Sequence, residues 1–507
     1  MKILFIYPND SSQLGFNYGV AHISAVLKKA GHTVELVQCC HELSTLPAEE
    51  EFIARLKQSA PDIIGFSVVT NQWPYAETLA SWARKATSVP LVCGGIHAMA
   101  APEDILNSGL FDYIFRGESE DAFPEFVEKI ARHDDVSDVR NLGLIKDGKI
   151  QINPLRPLPE LKDLPPKDYD LFDFQNIIDA KNGWVGLMAS RGCPFSCTYC
   201  FNHQMVAEYR KDLSCSFKKL NYIRHFNLDQ IIAEIKYLLD NYRNINTFIF
   251  DDDLFTFYKD YVIDFCKMYK KVCSIPFVVN AHVGFFDEER ARHLAEANCK
   301  IVKFGVESGS DRIRQKVLRR RMTNKKIIES IRIAHKFGLH SSVFLMIGLP
   351  GETFEDLMAT INLMGISLPG RYRWSFFFPF PGTDAYKISK GIKLIDQGKM
   401  SQMANFTEGS CLDFGEKHNL VLKKVGLLMP WFVNANSKLS VADFYKKKVG
   451  EVLSLSPESW EERADDFIAE DKDISQRFVR EGIRHYAIKY NRFMGVISDY
   501  FTKDKQE

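Results

Sequence analysis

Residues 190–203 read SRGCPFSCTYCFNH, and this stretch decides how the rest of the chain is understood. It places Cys193, Cys197 and Cys200 at C-x3-C-x2-C spacing. Thiolates grouped this way are the usual ligands of an iron–sulfur cluster. A four-iron cluster held by three thiolates keeps one iron open, and an open position is what a reactive metal site requires. The competing readings are three structural thiols, or a structural zinc with His203 as a fourth ligand. Of the 11 cysteines, the other eight (Cys39, Cys40, Cys93, Cys215, Cys266, Cys273, Cys299 and Cys411) show no ligand spacing and read mostly as core thiols.

Outward from this loop, residues 183–390 alternate strand-like and helix-like segments. WVGLMAS, INTFIFD, PFVVNAH, IVKFGVE, SSVFLMIG and WSFFFPF are the candidate strands. Repeated β/α units of this kind predict a partial or full barrel with its chemistry on loops at the strand carboxyl ends. The cysteine loop directly follows the first of these strands. Residues 1–140 alternate as well, with KILFIY, TVELVQ, DIIGFSVV, PLVCGG and YIFRG as strands between helical segments. That pattern predicts a doubly wound parallel sheet, with ligands beyond the strand carboxyl ends. Residues 141–182 carry INPLRPLPELKDLPPKDYD and read as a proline-rich linker. Residues 391–507 read as mostly helical and charged, as in SWEERADDFIAEDKDISQRFVREGIRHYAIKYNRF, and the final FTKDKQE reads as a frayed end.

The 507 residues suggest about three domains. Lys plus Arg is 65 and Asp plus Glu is 65, so the formal charge is zero, which argues against a nucleic-acid-binding protein. No run of apolar residues is long enough for a membrane-spanning helix. The opening MKILFIYPND turns polar too early for a signal peptide, so a cytoplasmic protein is expected. Phenylalanine occurs 38 times, several in FF or FFF runs. FFFPFPG at a strand end leans toward an apolar or lipid-like small-molecule substrate, although thick cores account for the excess equally well.

The segment CPFSCTYC resembles the signature of the radical SAM superfamily, including the aromatic Tyr199 before the last cysteine. FIFDDDLF (Asp251, Asp252, Asp253), FGVESGS (Glu307, Ser308), FLMIGLPGET (Gly348, Gly351, Glu352) and PFPGTDAY resemble later segments of that family, in order. The resemblance implies that Cys193, Cys197 and Cys200 hold a [4Fe-4S] cluster whose open iron binds S-adenosylmethionine. It implies reductive cleavage to a 5′-deoxyadenosyl radical. Tyr199 and the strand at Ile347, Gly348 and Leu349 would lie near the adenine. Glu307 and Ser308 would face the methionine or ribose, and Asp252 would sit at a strand end close to the cofactor. A covered barrel lumen suits radical chemistry because it excludes water and side reactions.

Residues 1–140 resemble the Rossmann-like cobalamin-binding domain that precedes many radical SAM proteins. By that resemblance Ser67 and Val69 in GFSVV flank the nucleotide tail of cobalamin. Gly94 and Gly95 let backbone approach it, and Gly117 and Glu118 in YIFRGESEDAF complete the pattern. One departure is plain. Cobalamin domains of mutases carry Asp-x-His-x-x-Gly in the first loop, whereas here that loop reads NDSSQLGFNYG and the first histidine is His22, inside a helix. A histidine on cobalt is therefore not supported. His22, His32 and His97 read as structural histidines. No G-x-G-x-x-G is present, which disfavours NAD.

The combined resemblance implies a cobalamin-dependent radical SAM enzyme, foremost a methyltransferase acting on an unactivated carbon. A cyclase, ring-rearranging or oxidative enzyme with the same cofactors is the alternative. A one-electron reductant such as flavodoxin or ferredoxin is implied as partner. A tRNA methylthiotransferase would need cluster cysteines in the first domain and a basic terminal module, and a non-catalytic sensor would have no use for the ESGS and GLPGE segments.

Overall fold

The strand KILFIYP is buried along almost its whole length, as a parallel strand covered on both faces must be. It is β1 (Lys2–Pro8), and β2 (Thr33–Cys39), β3 (Ile63–Ser67), β4 (Leu91–Gly94) and β5 (Tyr113–Phe115) follow. They form a parallel sheet in the order β2-β1-β3-β4-β5, joined by helices such as Tyr18–Lys29 and Trp73–Ala86. The first helix shows why its sequence is helical. The Asn17 side chain accepts from Val20 N–H at its start, and Lys28 and Lys29 lie in its last turn. The chain reverses direction across the sheet between β1 and β3, so their carboxyl ends open the crevice where such sheets bind ligands.

The computed structural model describes residues 1–10, 14–402, 409–491 and 496–501. Ser11, Ser12 and Gln13 of the first loop, and all but the start of FTKDKQE, lie outside the described residues. By its internal contacts the chain divides into two compact units. One comprises Met1–Phe195 with Cys200–Thr247, the other Ser196–Tyr199 with Phe248–Glu507.

In the first unit, β6 (Leu142–Lys146) and β7 (Lys149–Ile152) extend the sheet antiparallel, beside β5. They fall within the span read as linker. Their turn is Asp147–Gly148, a two-residue hairpin signal in LGLIKDGKIQI. The unit also holds β8 (Trp184–Leu187) and a two-residue antiparallel ladder of β9 (Ser190–Arg191) and β10 (Arg224–His225).

The second sheet runs β11 (Thr247–Phe250), β12 (Phe277–Ala281), β13 (Cys299–Glu307), β14 (His340–Ile347) and β15 (Arg371–Phe376), each parallel to the next. Helices Lys259–Val272, Glu288–Glu296, Asn324–Lys336 and Phe354–Ser367 connect them. This is a partial barrel: beyond β15 the sheet continues as an antiparallel hairpin of β16 (Tyr486–Asn491) and β17 (Val496–Phe501). The C-terminal region is mostly helical, as expected, but YAIKYN is a strand. The helix Pro457–Arg480 stops just before Gly482, and a period-two pattern takes over. No described helix is long and apolar enough to cross a membrane. Much of the phenylalanine excess is core: Phe248, Phe250, Phe265 and Phe277 are completely buried.

Candidate active site

The cysteine loop begins in the first unit with a buried charge network. Arg191 Nη1 donates to Glu118 at 2.6 Å and to Glu120 at 2.6 Å, and Arg224 also donates to Glu118. Burial pushes the Glu118 carboxyl up, but the two guanidiniums outweigh it and hold its pKa below the usual range. The Tyr209 hydroxyl accepts from Glu118 N–H at 2.8 Å. Gly192 follows at φ +94°, where a Cβ would lie 2.2 Å from the Tyr222 carbonyl oxygen, so only glycine lets the chain enter the loop here. Cys193 and Cys200 are half-buried, and Asn202 Nδ2 approaches Cys200 Sγ at 3.8 Å.

In the second unit, residues 196–199 are tied to the barrel. Thr198 N–H donates to Leu318 O at 3.1 Å, Thr198 Oγ1 to Val317 O at 2.8 Å, and Ala385 N–H to Thr198 O at 2.9 Å. Cys197 is buried, and Arg320 Nη1 lies 3.5 Å from its sulfur. The same nitrogen donates to the Tyr199 hydroxyl at 3.2 Å, and that hydroxyl donates to Glu307 at 3.0 Å. Arg320 is anchored by Nε to Gly305 O at 3.0 Å. Glu307 ends β13 with φ +68°, a strained conformation for a non-glycine residue of the kind that gathers at functional sites. Burial raises its pKa, with Arg320 and Tyr199 pulling the other way.

The remaining barrel residues fall at strand ends. Asp252 is buried just past β11, and its carbonyl accepts from Asn280 Nδ2 at 2.9 Å. Ile347 and Leu349 are fully buried, and Gly348 N–H donates to Glu352 at 2.7 Å. Burial pushes Glu352 up to about 8. Ser308 is fully buried, with its hydroxyl 3.3 Å from Thr360 Oγ1 and 3.2 Å from Ser310 N–H. That hydroxyl is already engaged within the protein.

At the crevice of the first sheet, Ser67 Oγ accepts from Asn17 Nδ2 at 3.0 Å. Val69 is half-buried, and its N–H faces Gln72 Oε1 at 3.4 Å. Gly94 ends β4 and Gly95 follows it, and at Gly95 (φ +89°) a Cβ would meet Val68 O at 2.5 Å. Gly117 adjoins Glu118 after β5. His97 is 6% exposed, packs on Trp73 at 4.8 Å, and leaves both ring nitrogens without a hydrogen-bond partner. Burial lowers its pKa to about 4. His22 is buried and stacks on Phe226 at 5.6 Å.

Among the described residues no three His, Cys, Asp or Glu side chains are gathered tightly enough to hold a metal ion as they stand. The donor set nevertheless fits a cluster: three thiols outside any disulfide on one short loop, one beside a half-buried guanidinium that offsets negative charge on sulfur. The orphaned nitrogens of His97 beside the Gly94–Gly95 turn fit a polar ligand at that strand end. Sequence reasoning missed Arg320, which sits in the run Leu318, Arg319, Arg320, Arg321. Arg319 pairs outward with Asp384 while Arg320 turns inward, and only packing separates them.

Residues 187–364 match the model of the radical SAM superfamily, and residues 9–127 match the B12 binding domain. An uncharacterized methyltransferase of Pyrococcus horikoshii is 28% identical over 400 residues, 77% of this chain and 83% of that protein. The anaerobic magnesium-protoporphyrin IX monomethyl ester cyclase of Rubrivivax gelatinosus is 23% identical over 436 residues, 82% of this chain and 75% of that one. In fold, the chain is similar to the cobalamin-dependent S-adenosylmethionine radical enzyme OxsB, with TM-score 0.66 and 15% identity over 95% of this chain and 72% of that one. With both domains in tandem, the chain is a cobalamin-dependent radical SAM enzyme.

Proposed function

We propose that the protein is a methyltransferase that activates an unactivated carbon of a small or lipid-like molecule. The observation that carries this reading is the pairing, in one chain, of a three-thiol loop with a cobalamin-type crevice. The methyltransferase relative, spanning most of both chains, supports it. When bound, the cluster and S-adenosylmethionine supply a 5′-deoxyadenosyl radical, and cobalamin supplies a methyl carrier.

The chain's own residues then have distinct tasks. Cys193, Cys197 and Cys200 hold the cluster. Arg320 holds Tyr199 and Glu307 in one hydrogen-bonded row beside Cys197. Ile347, Gly348 and Leu349 offer buried strand-end backbone to the adenine, and Asp252 closes the end of β11. Ser308 takes part through its backbone. Ser67, Val69, Gly94, Gly95, Gly117 and Glu118 frame the crevice for the corrin and its tail, with Glu118 acting through its arginines. In this reading residues 1–140 carry cobalamin, 183–390 the radical chemistry, and 391–507 cover the substrate. A flavodoxin or ferredoxin in the cytoplasm delivers the electron.

The test is anaerobic turnover with S-adenosylmethionine carrying a deuterated methyl group. Label in the product supports methyl transfer. Product without label, together with 5′-deoxyadenosine, favours the second reading, a cyclase-type reaction, which the Rubrivivax relative supports. Cys193→Ala is expected to abolish 5′-deoxyadenosine formation, and persistent formation would sink both readings.

A further inference from the structure

Strand β15 alternates cleanly. Tyr372 and Trp374 turn to one face: Tyr372 packs on Tyr486 at 4.9 Å, and Trp374 Nε1 donates to Gly426 O at 2.7 Å. Arg371, Arg373 and Ser375 therefore share the opposite face. Arg373 lies over the Phe344 ring of β14 at 5.5 Å, which fixes that face as the one carrying Phe344 and Met346. Register extends the rows across the sheet. Lys303, Ser342 and Arg371 stand in one, and Gly305, Phe344 and Arg373 in the next. Gly305 is the residue whose carbonyl anchors Arg320. Arg373 is thus two strands, about 10 Å, from that anchor.

Arg373 is 6% exposed. Among the described residues it has no carboxylate partner, and its Nε has no hydrogen-bond acceptor. Burial, with Arg371 beside it, lowers its pKa to about 9. A buried guanidinium without a counter-ion is strongly unfavourable, and proteins normally pair such charges. The Phe344 face alone gives only a modest cation–π attraction.

We propose that Arg373, with Arg371 adjacent, receives an oxyanion of the substrate, a carboxylate, phosphate or phosphonate, on the inner face of the second sheet. Calling the ligand a substrate rests on the function proposed above. Phe344 and Met346 on the same face then contact the apolar part of that molecule. The substrate is accordingly an anionic or amphiphilic molecule, not a wholly apolar one. A guanidinium suits planar or tetrahedral oxyanions because its fork donates two parallel hydrogen bonds. The same chemistry would hold the carboxylate of S-adenosylmethionine, so the test separates the two sources.

The reconstituted, anaerobic protein is titrated with phenylphosphonate and, separately, with S-adenosylmethionine, reading thermal midpoint and equilibrium dialysis. Saturable stabilisation by phenylphosphonate is expected in the wild type. Arg373→Lys should weaken it only a few-fold and Arg373→Gln at least tenfold, while S-adenosylmethionine binds alike in all three. Without ligand, Arg373→Gln should melt no lower than the wild type, because it removes an uncompensated charge; a clear drop would mark a structural arginine and overturn the proposal. If Arg373→Gln does not fold, Arg371→Gln is the second probe, with weakened phenylphosphonate binding expected. No saturable binding in the wild type, or equal binding in the glutamine variants, overturns the proposal. Loss of S-adenosylmethionine binding with Arg373→Gln overturns it in favour of the cofactor's carboxylate. None of these readouts needs methyl transfer, so each stands apart from the labelled-methyl test.

Discussion

Arg191 and Arg320 are both half-buried arginines beside the cysteine loop, and their charges are met in opposite ways. Arg191, in the first unit, is enclosed by Glu118 and Glu120, with Arg224 sharing Glu118. Two carboxylates balance two guanidiniums within the protein. Arg320, in the second unit, has a sulfur, a phenol and a carbonyl as hydrogen-bond partners, and the Glu307 carboxylate stands 4.0 Å away. Its charge is only partly compensated by the protein. The difference teaches how to read buried charge in this molecule: a closed network positions the chain, while an open one is addressed to something that binds.

The comparison breaks first at Glu118. Glu118→Ala leaves Arg224 without its carboxylate and Arg191 with Glu120 alone, and the loss of one partner from a buried ion pair costs about 3–5 kcal/mol. Urea unfolding should show that loss at neutral pH. The pH dependence has a definite sign. The folded pKa of Glu118 is depressed, so its contribution is present above the unfolded value near 4.5 and is lost as pH falls through the lowered value. Wild-type stability should therefore fall more steeply below about pH 4 than that of the variant. Parallel curves would show that the network does not hold the loop's entry.

Arg320 is expected to matter for chemistry more than for folding. Arg320→Gln removes the cation nearest the Cys197 sulfur. Losing an outer partner of a metal ligand typically costs about 10–100-fold in metal affinity or activity. The informative measurement is the cluster's reduction potential by electron paramagnetic resonance titration, which should fall in Arg320→Gln and largely recover in Arg320→Lys. An unchanged potential with reduced activity would instead place Arg320 on S-adenosylmethionine alone.

Much of this was legible in the sequence, for physical reasons that can be named. Parallel strands buried on both faces write themselves as short apolar runs, so KILFIY and SSVFLMIG were found as β1 and β14. Ligand spacing within one loop is local, so Cys193, Cys197 and Cys200 stood out. The hairpin of β6 and β7 was legible too, through Asp147–Gly148, but the prolines that follow drew the whole span into a linker. Charge pairing was not legible. Glu118 meets Arg224 across 106 positions, and Arg320 meets Cys197 across 123. Nor could the sequence say which of three consecutive arginines turns inward. Phenylalanine was ambiguous in a related way, since composition cannot tell a ring in the core from a ring in a lumen.

The smallest expected effect tests whether burial of the carboxylate, rather than of the arginine, makes a network matter. Arg314 is as buried as any side chain in the molecule, and it pairs with Asp311, whose side chain is 57% exposed. Its other acceptors are the Ser308 carbonyl and Asn324 Oδ1 at 2.6 Å. Asp311→Asn leaves those acceptors in place, and water reaches the side chain at position 311. The expected cost is therefore about 1 kcal/mol or less, and smaller still in high salt. A loss as large as that for Glu118→Ala would mean that a buried guanidinium depends on its carboxylate wherever that carboxylate sits. Burial of the arginine, not of its acid, would then decide what a network is worth, and Arg373, buried with no carboxylate partner among the described residues, would call for an anion all the more.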